Sequence, residues 1–380
     1  MKKSIVIISF SYVDKDVRIL KQIKALKDDF NLSVIGYIQS RSQLIKGVKY
    51  FELQKTEKNI LLTIIYLTLG LLFPNFYNRL FWRRSEYIEA RKIIEKLKMD
   101  FIHANDWEAI IVSNLKNKKT RIIFDSHEYF PEMNIKNCFE RIIVGKYRKQ
   151  LILSLEQPIF FKMVTVSPEI ADLFKINFNW DAEVILNASK YHPHEINLCK
   201  SNQIRIVHHG HALKARKLEE IVKLLKYLDK RITVSFILIP TDKKYYNNLK
   251  KYEKKYLNRF FILPPVERGK LSTFLNKNFD LSIPAISRIN LNNLYCLPNK
   301  LFESIIAGLA IINPGLPSIS SFISKSNIGI DTPNKTRIMA EKINNLSIEA
   351  INHYKEQSLK LALLINEENE IIKYRKIYED

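Results

Sequence analysis

The chain has 380 residues, 46% of them hydrophobic, and a formal charge of +22. That length exceeds one ordinary core and suits two domains of roughly 150–200 residues, and the apolar share excludes disorder over most of it. Three cysteines, Cys138, Cys199 and Cys296, without paired or metal-like spacing exclude a disulfide scaffold and fit a reduced compartment.

The opening KSIVIISF, residues 3–10, reads as a buried strand, since Asp14, Asp16 and Arg18 interrupt the apolar run too early for a signal peptide. Residues 14–29 form a helix with Val17, Leu20, Ile23, Lys24 and Leu26 at near-helical spacing, and LSVIGYI at 32–38 is the next strand. The most apolar stretch, NILLTIIYLTLGLLF at 59–73, falls short of the roughly 20 residues a bilayer span needs. A buried helix is the first reading. An interfacial element is the second, because Phe73, Phe76, Phe81 and Trp82 interleave with Arg79, Arg83 and Arg84, so that residues 59–84 would touch a membrane surface. A charged amphipathic helix over 85–98 leads to a strand at 99–106. TRIIFDSHEYF, 120–130, repeats that plan, as does KMVTVSPEI, 162–170, where a strand gives way to a Ser–Pro helix start, and VILNAS, 184–189, closes this half.

A polar stretch, 191–203, is the expected linker between a first domain of 1–190 and a second of 204–358. In the second half, strands are expected at 204–210, 232–239, 259–263, 279–286 and 309–314, helices at 216–229, 242–257 and 267–277, and one long charged helical segment over 335–378. Strands alternating with helices imply two parallel sheets with covered faces, whose ligands collect beyond the carboxyl ends of the strands. The positive charge attracts polyanions in general. It is spread over both halves, in a lysine-, isoleucine- and asparagine-rich chain, and neither zinc-finger spacing nor an RNA-binding aromatic motif accompanies it, so nucleic acid is not the expected partner.

Three polar clusters carry chemistry. FDSHEYF places Asp125, His127 and Glu128 at a strand end. Asp125 can cap a turn there, and His127 can be a surface residue or donate a hydrogen bond to a sugar hydroxyl; a metal pair lacks further ligands at zinc-like spacing. In HHGHALKARKLEE, Gly210 follows a strand and precedes a helix, a loop that can show N–H groups to a phosphate. Arg216 and Lys217 stand near that helix start against the dipole preference, which suggests an anionic ligand as an alternative to a solvated patch. In LPNKLFESIIAGLAIINP, Pro298 and Asn299 make a tight entry and Glu303 falls in the opening turn of a helix. The dipole alone explains an acid there, and a two-pronged carboxylate also suits the hydroxyls of a ribose, so cap and clamp stay open.

These segments, in this order, resemble the retaining GT-B glycosyltransferases of family 4, the group-1 enzymes of polysaccharide and lipid-linked sugar synthesis. The likeness spans nearly the whole chain and is strongest over 204–331. It implies two Rossmann-like domains facing across a cleft, with a C-terminal helix, 359–380, crossing back to pack on the first. Gly210 through Arg216 is similar to the family's diphosphate loop, with Lys217 where the family often has glycine. Pro298–Asn299–Lys300–x–Phe302–Glu303 resembles its donor-binding segment, with Glu303 on the ribose glutamate and Ala310 in place of the usual proline. FDSHEYFPE is similar to an Asp–x–His–Glu segment that brings His127 toward the sugar. The resemblance thus implies His127, Arg216 and Lys300 as catalytic groups, and Gly210, Lys217, Pro298, Asn299 and Glu303 as further donor contacts. It places Asp16, Asp125, Glu128 and Tyr295 on the acceptor or sugar side. Tyr295 stands where the family has an acid, and SFSYVDKD, 9–16, replaces its early glycine-rich loop.

The activity this resemblance implies is transfer of a hexosyl or N-acetylhexosaminyl group from a nucleotide diphosphate sugar, UDP-linked, to a glycan or lipid-linked acceptor in bacterial surface polysaccharide or lipooligosaccharide synthesis. No metal is required in that reading, and the setting is cytoplasmic, peripheral to the inner membrane face. A nucleotide-sugar epimerase of the same fold, or a non-enzymatic polyanion- or membrane-binding protein, is the alternative.

Overall fold

The computed structural model describes residues 2–57, 59–115, 120–135, 137–155, 159–200, 203–286, 288 and 290–379. The chain divides into two compact units. Met1–Ile185, Ile289–Asn292 and Ile371–Asp380 make the first; Leu186–Arg288 and Asn293–Glu370 make the second. The described part of the 191–203 stretch has no regular secondary structure and lies in the second unit.

In the first unit, β1 (Ser4–Tyr12), β2 (Asn31–Tyr37), β3 (Lys49–Glu52), β4 (Phe101–Asn105), β5 (Arg121–Asp125), β6 (Lys162–Thr165) and β7 (Glu183–Val184) form one sheet in the order β3-β2-β1-β4-β5-β6-β7. Every pairing is parallel. Ile5 through Ile8 are buried in succession, as a strand covered on both faces requires. The helix α1 (Val17–Leu26) starts at Asp16, whose side chain accepts from the Arg18 N–H. Its buried face is Ile19, Gln22, Ile23, Ala25 and Leu26. The expected stripe is therefore rotated: Lys24 is exposed, and Gln22 is inside because its amide donates to Asn105 and Asp125.

The buried-helix reading of 59–73 is overturned. In α2 (Ile60–Leu72) only Gly70 is buried, while Ile60, Leu61, Ile64, Ile65 and Leu72 are exposed. Being apolar on every side, α2 has no polar face to mark which side turns outward. Its principal cover is α3 (Asn75–Phe81), whose Tyr77 ring fills the space where a Gly70 side chain would stand. No described helix is long and apolar enough to cross a membrane. Next come α4 (Ser85–Lys96) and α5 (Asp106–Ser113), the latter following β4 directly.

The second sheet comprises β8 (Ile204–His211), β9 (Ile232–Ile239), β10 (Phe260–Leu263), β11 (Leu281–Ser282), β12 (Ala310–Asn313) and β13 (Gly329–Asp331), in the order β10-β9-β8-β11-β12-β13 and again parallel throughout. The strand expected over 279–286 keeps two residues, because Pro284 has no N–H to continue the ladder. The helix expected over 216–229 is a 3-10 turn at Lys214–Arg216, a short helix at Glu219–Lys223 and a second 3-10 turn at Leu224–Lys226. Lys217, in left-handed conformation at φ 48°, separates the first two. The segment 335–378 is three helices, Thr336–Asn344, Ile348–Leu364 and Glu367–Lys376. The last packs back onto the first unit, where Tyr374, Ile377 and Tyr378 join the core beneath β1 and β4.

Both sheets reverse their order of growth at a central pair, β1/β4 and β8/β11. At such a switch point the flanking loops part, leaving a crevice beyond the carboxyl ends of the strands.

Candidate functional site

At the carboxyl edge of the second sheet lies a cavity of about 410 Å³. Its lining brings together Gly210, Arg216, Pro298, Asn299, Lys300 and Glu303. Lys217 is exposed and does not line it. Gly210 is still within β8, paired with Leu238, and not in a loop after the strand. Its φ of +132° is one that side chains disfavour, and a Cβ there would stand 3.0 Å from Arg216 Nη1 and 3.6 Å from Lys300 Nζ. Glycine thus lets two cations close over one stretch of backbone.

Those cations are poorly compensated. Lys300 Nζ donates to the Ala285 carbonyl at 2.9 Å, and Arg216 Nη1 reaches the His211 carbonyl at 3.4 Å. Neither belongs to an ion pair among the described residues. Burial first, and then the Arg216 cation, push the Lys300 ammonium down to about 7, against the pull of Glu303. Burial lowers Arg216 as well. His208, wholly buried beside Lys300, is held well below its ordinary range by burial and by that cation, so it is neutral, with Nδ1 2.8 Å from the Ile283 carbonyl. Positive charge drawn out of water and held in no ion pair among the described residues is what a diphosphate would neutralise.

Glu303 is the fifth residue of the helix Asn299–Ile306, whose first turn holds no acid. The dipole explanation for its residue type therefore falls. Its carboxylate lies 2.9 Å from His209 Nε2 instead, with the imidazole 5% and the carboxylate 21% exposed, so the acid is held by β8 yet remains open to the cavity. Ile237, Ile239, Pro265 and Val266 add an apolar wall. His209 and the Pro265–Val266 segment were not singled out from sequence. His209 was visible beside Gly210, but nothing local marks it as the partner of an acid in a distant helix. Tyr295 ends the helix Leu291–Tyr295, half-buried, its carbonyl accepting from Ser318 Oγ at 2.8 Å; it is not part of this lining.

Of the residues expected on the acceptor or sugar side, all but Tyr295 gather at the carboxyl edge of the first sheet. Asp125, buried at the end of β5, accepts on Oδ2 from Gln22 Nε2 at 2.9 Å and Tyr374 OH at 3.1 Å, with His103 Nε2 also at 3.1 Å. His127 Nε2 lies 3.2 Å from its Oδ1. Burial would raise the Asp125 carboxyl, but His127 and His103 hold it well below the usual carboxylate range. Tyr378 OH hydrogen-bonds His103 Nδ1, so the C-terminal segment fixes this set from behind. Asp16 pairs with Arg18 at 2.8 Å, and Arg18 reaches Asp106 at 3.3 Å. Glu128 is half-buried and accepts from Asn292 at 3.4 Å; burial and the nearby Asp106 charge raise its carboxyl. Among the described residues no three His, Cys, Asp or Glu side chains make a metal site.

No family model matches the chain, and no curated protein matches it. Solved structures do. Anabaena Alr3699/HepE, crystallised with UDP and glucose, is 12% identical over 99% of both chains, with a TM-score of 0.66. Sucrose-phosphate synthase from Thermosynechococcus elongatus is 10% identical over 99% of this chain and 98% of its own, at 0.70. A glycosyltransferase from Rickettsia africae is 16% identical over 100% and 98%, at 0.67. At such identities the likeness speaks for architecture, and it agrees with the two parallel sheets and the returning helix: the chain has the GT-B fold.

Proposed function

We propose that this chain is a retaining glycosyltransferase of the family 4 type, which moves a hexosyl or N-acetylhexosaminyl group from a UDP-sugar to a glycan or lipid-linked acceptor. The observation that carries the proposal is the pair Arg216 and Lys300 closed over Gly210 in the second unit's cavity, neither in an ion pair among the described residues, with Glu303 in the same lining. The diphosphate sits against the two cations, the ribose hydroxyls donate to Glu303, and the base lies along Ile237, Ile239 and Pro265. As the bond from the anomeric carbon to the diphosphate oxygen breaks, its electron pair leaves with UDP, and the charge that develops is met by Arg216 and Lys300. The acceptor oxygen bonds to the same face of that carbon, and its proton passes to the departing phosphate oxygen. His127 donates a hydrogen bond to the sugar. Because the charge is met by side chains, turnover survives a chelator.

The HepE complex with UDP and glucose supports UDP as the first donor to try. The protein works in the cytoplasm against the inner membrane face: the exposed apolar residues of α2 stand in sequence beside Arg79 and Arg83, both exposed, a pairing suited to anionic lipid. Proton NMR of the product tests the reaction. A retained anomeric configuration is expected from a UDP-sugar, and an inverted linkage, or conversion of the donor to its epimer without transfer, would overturn it. Sedimentation with anionic vesicles at low salt tests the location, and no binding would remove the membrane part.

A further inference from the structure

A second cavity, about 370 Å³, lies within the first unit under α2. That volume is in the range of about 300–1,000 Å³ usual for small-molecule sites. Besides α2 it is enclosed by Thr56 and Glu57 before that helix, the end of α3 with the following Arg83 and Arg84, Tyr87 of α4, the start of α5, and Val144 with Tyr147 and Arg148 of the helix Lys146–Leu153 that follows it. Val144 belongs to a π-helical turn, Arg141–Gly145, a rare geometry that recurs at functional sites.

The lining is neither an apolar core nor an anion trap. Tyr87, Trp107 and Tyr147 are buried aromatic walls, with Leu62, Leu67 and Leu80 beside them. Three arginines, Arg83, Arg84 and Arg148, face three acids: Glu57 and Glu108 in the lining, and Glu86 behind it, ion-paired to Arg84. Arg84 is offset by Glu86, while Arg83 and Arg148 are offset in part by Glu57 and Glu108, so the lining keeps only a small positive excess. Arg148 donates to the Phe130 and Met133 carbonyls and lies over the Trp107 ring at 5.5 Å, which fixes its guanidinium as one wall. Glu108 is half-buried in the lining, and desolvation with nearby Asp106 pushes its carboxyl up to about 7, so near neutral pH it both donates and accepts. Nothing in the donor chemistry uses these groups.

Aromatic faces interleaved with fixed donors and acceptors, with little net charge, suit a neutral polyhydroxylated ring. The same helix that supplies Leu62 and Leu67 to the wall exposes Leu61, Ile64 and Ile65 to solvent, at 68%, 56% and 42%. We propose that this cavity binds the sugar end of the acceptor, and that the acceptor is a glycoside with a hydrocarbon tail lying along α2. The inference rests on the glycosyltransferase reading and adds to it the acceptor's chemical class and seat.

The test uses the full chain and n-octyl β-D-glucopyranoside below its micelle concentration, followed by calorimetry, with glucose and n-octanol as separate arms. Saturable binding of the glycoside at least tenfold tighter than either arm is expected. Leu67→Trp, which fills the cavity from a half-exposed position, and Glu108→Gln should each weaken it at least tenfold. UDP binding, measured on the same samples, should be unchanged and reports that the variants are folded. Glycoside binding no tighter than octanol, or untouched by Leu67→Trp, would overturn the inference while leaving the donor site standing. Loss of UDP binding in the unaltered protein would instead overturn the donor reading and the role of acceptor with it.

Discussion

Lys300 offers a prediction in which a proton reports on the ligand. The ammonium sits at about 7 in the free protein because it is buried and faces Arg216. A bound diphosphate replaces the lost hydration with negative charge, which returns the group toward its ordinary value of about 10.4. Affinity then falls with rising pH: between about pH 7 and pH 9 the dissociation constant should rise about fiftyfold, and near pH 8.5 binding should take up close to one proton. UDP-glucose is the ligand to use, since the terminal phosphate of UDP itself titrates near pH 6. Calorimetry in two buffers of different ionisation enthalpy reads both quantities. Lys300→Met should flatten the slope and abolish the proton uptake. The free protein should show the opposite trend in stability: the unfolded chain holds a proton there that native Lys300 lacks, so this residue's contribution to stability rises from about pH 7 to pH 10. A pH-independent dissociation constant with no proton uptake would refute this account of Lys300.

Glu303→Gln should cut uridine affinity by about 1.5–3 kcal/mol, roughly ten- to 150-fold, with little change in melting temperature; equal uridine affinity in both proteins would falsify the ribose assignment. Gly210→Ala puts a Cβ 3.0 Å from Arg216 Nη1 at a φ of +132°, so it should cost about 1–3 kcal/mol of stability in urea unfolding, and UDP affinity should fall with it; an unchanged urea midpoint would contradict the geometry. Asp125 is held well below its usual range, so its contribution to stability is full above an unfolded value of about 3.9 and is lost as pH falls. Tyr374→Phe removes one of its donors and should cost about 1.5–3 kcal/mol at neutral pH and less in acid, whereas an equal loss at both would show that the phenol does not act through the carboxylate.

The long buried strands were legible because apolar and β-branched residues dominate each run: β1, β2, β8 and β9 fall where the runs 3–10, 32–38, 204–210 and 232–239 predict them. The edge strands were not. KYFE at β3 and GID at β13 are short, and β3 is nowhere fully buried, so neither carries a run. The exposure of α2 could not be read, because a helix apolar on all sides does not say which side is covered. Gly210, Arg216 and residues of the Pro298–Glu303 segment, singled out from residue chemistry and resemblance together, line one cavity of the second unit. The His209–Glu303 pairing was not singled out, since it joins residues 94 positions apart. Lys217 was misplaced by its neighbour: adjacent to Arg216 in sequence, it is turned to solvent by the left-handed backbone that ends the 3-10 turn.

Calorimetric titration of UDP-glucose into the unaltered protein and into Arg216→Ala, at pH 7, tests the central claim most directly. One site per chain is expected, with affinity in the variant lower by about 1.5–3 kcal/mol for the lost charged hydrogen bond, while uridine binds both proteins equally. Absence of UDP-glucose binding, or equal affinity in the two proteins, would contradict a nucleotide-sugar site built on Arg216 and Lys300.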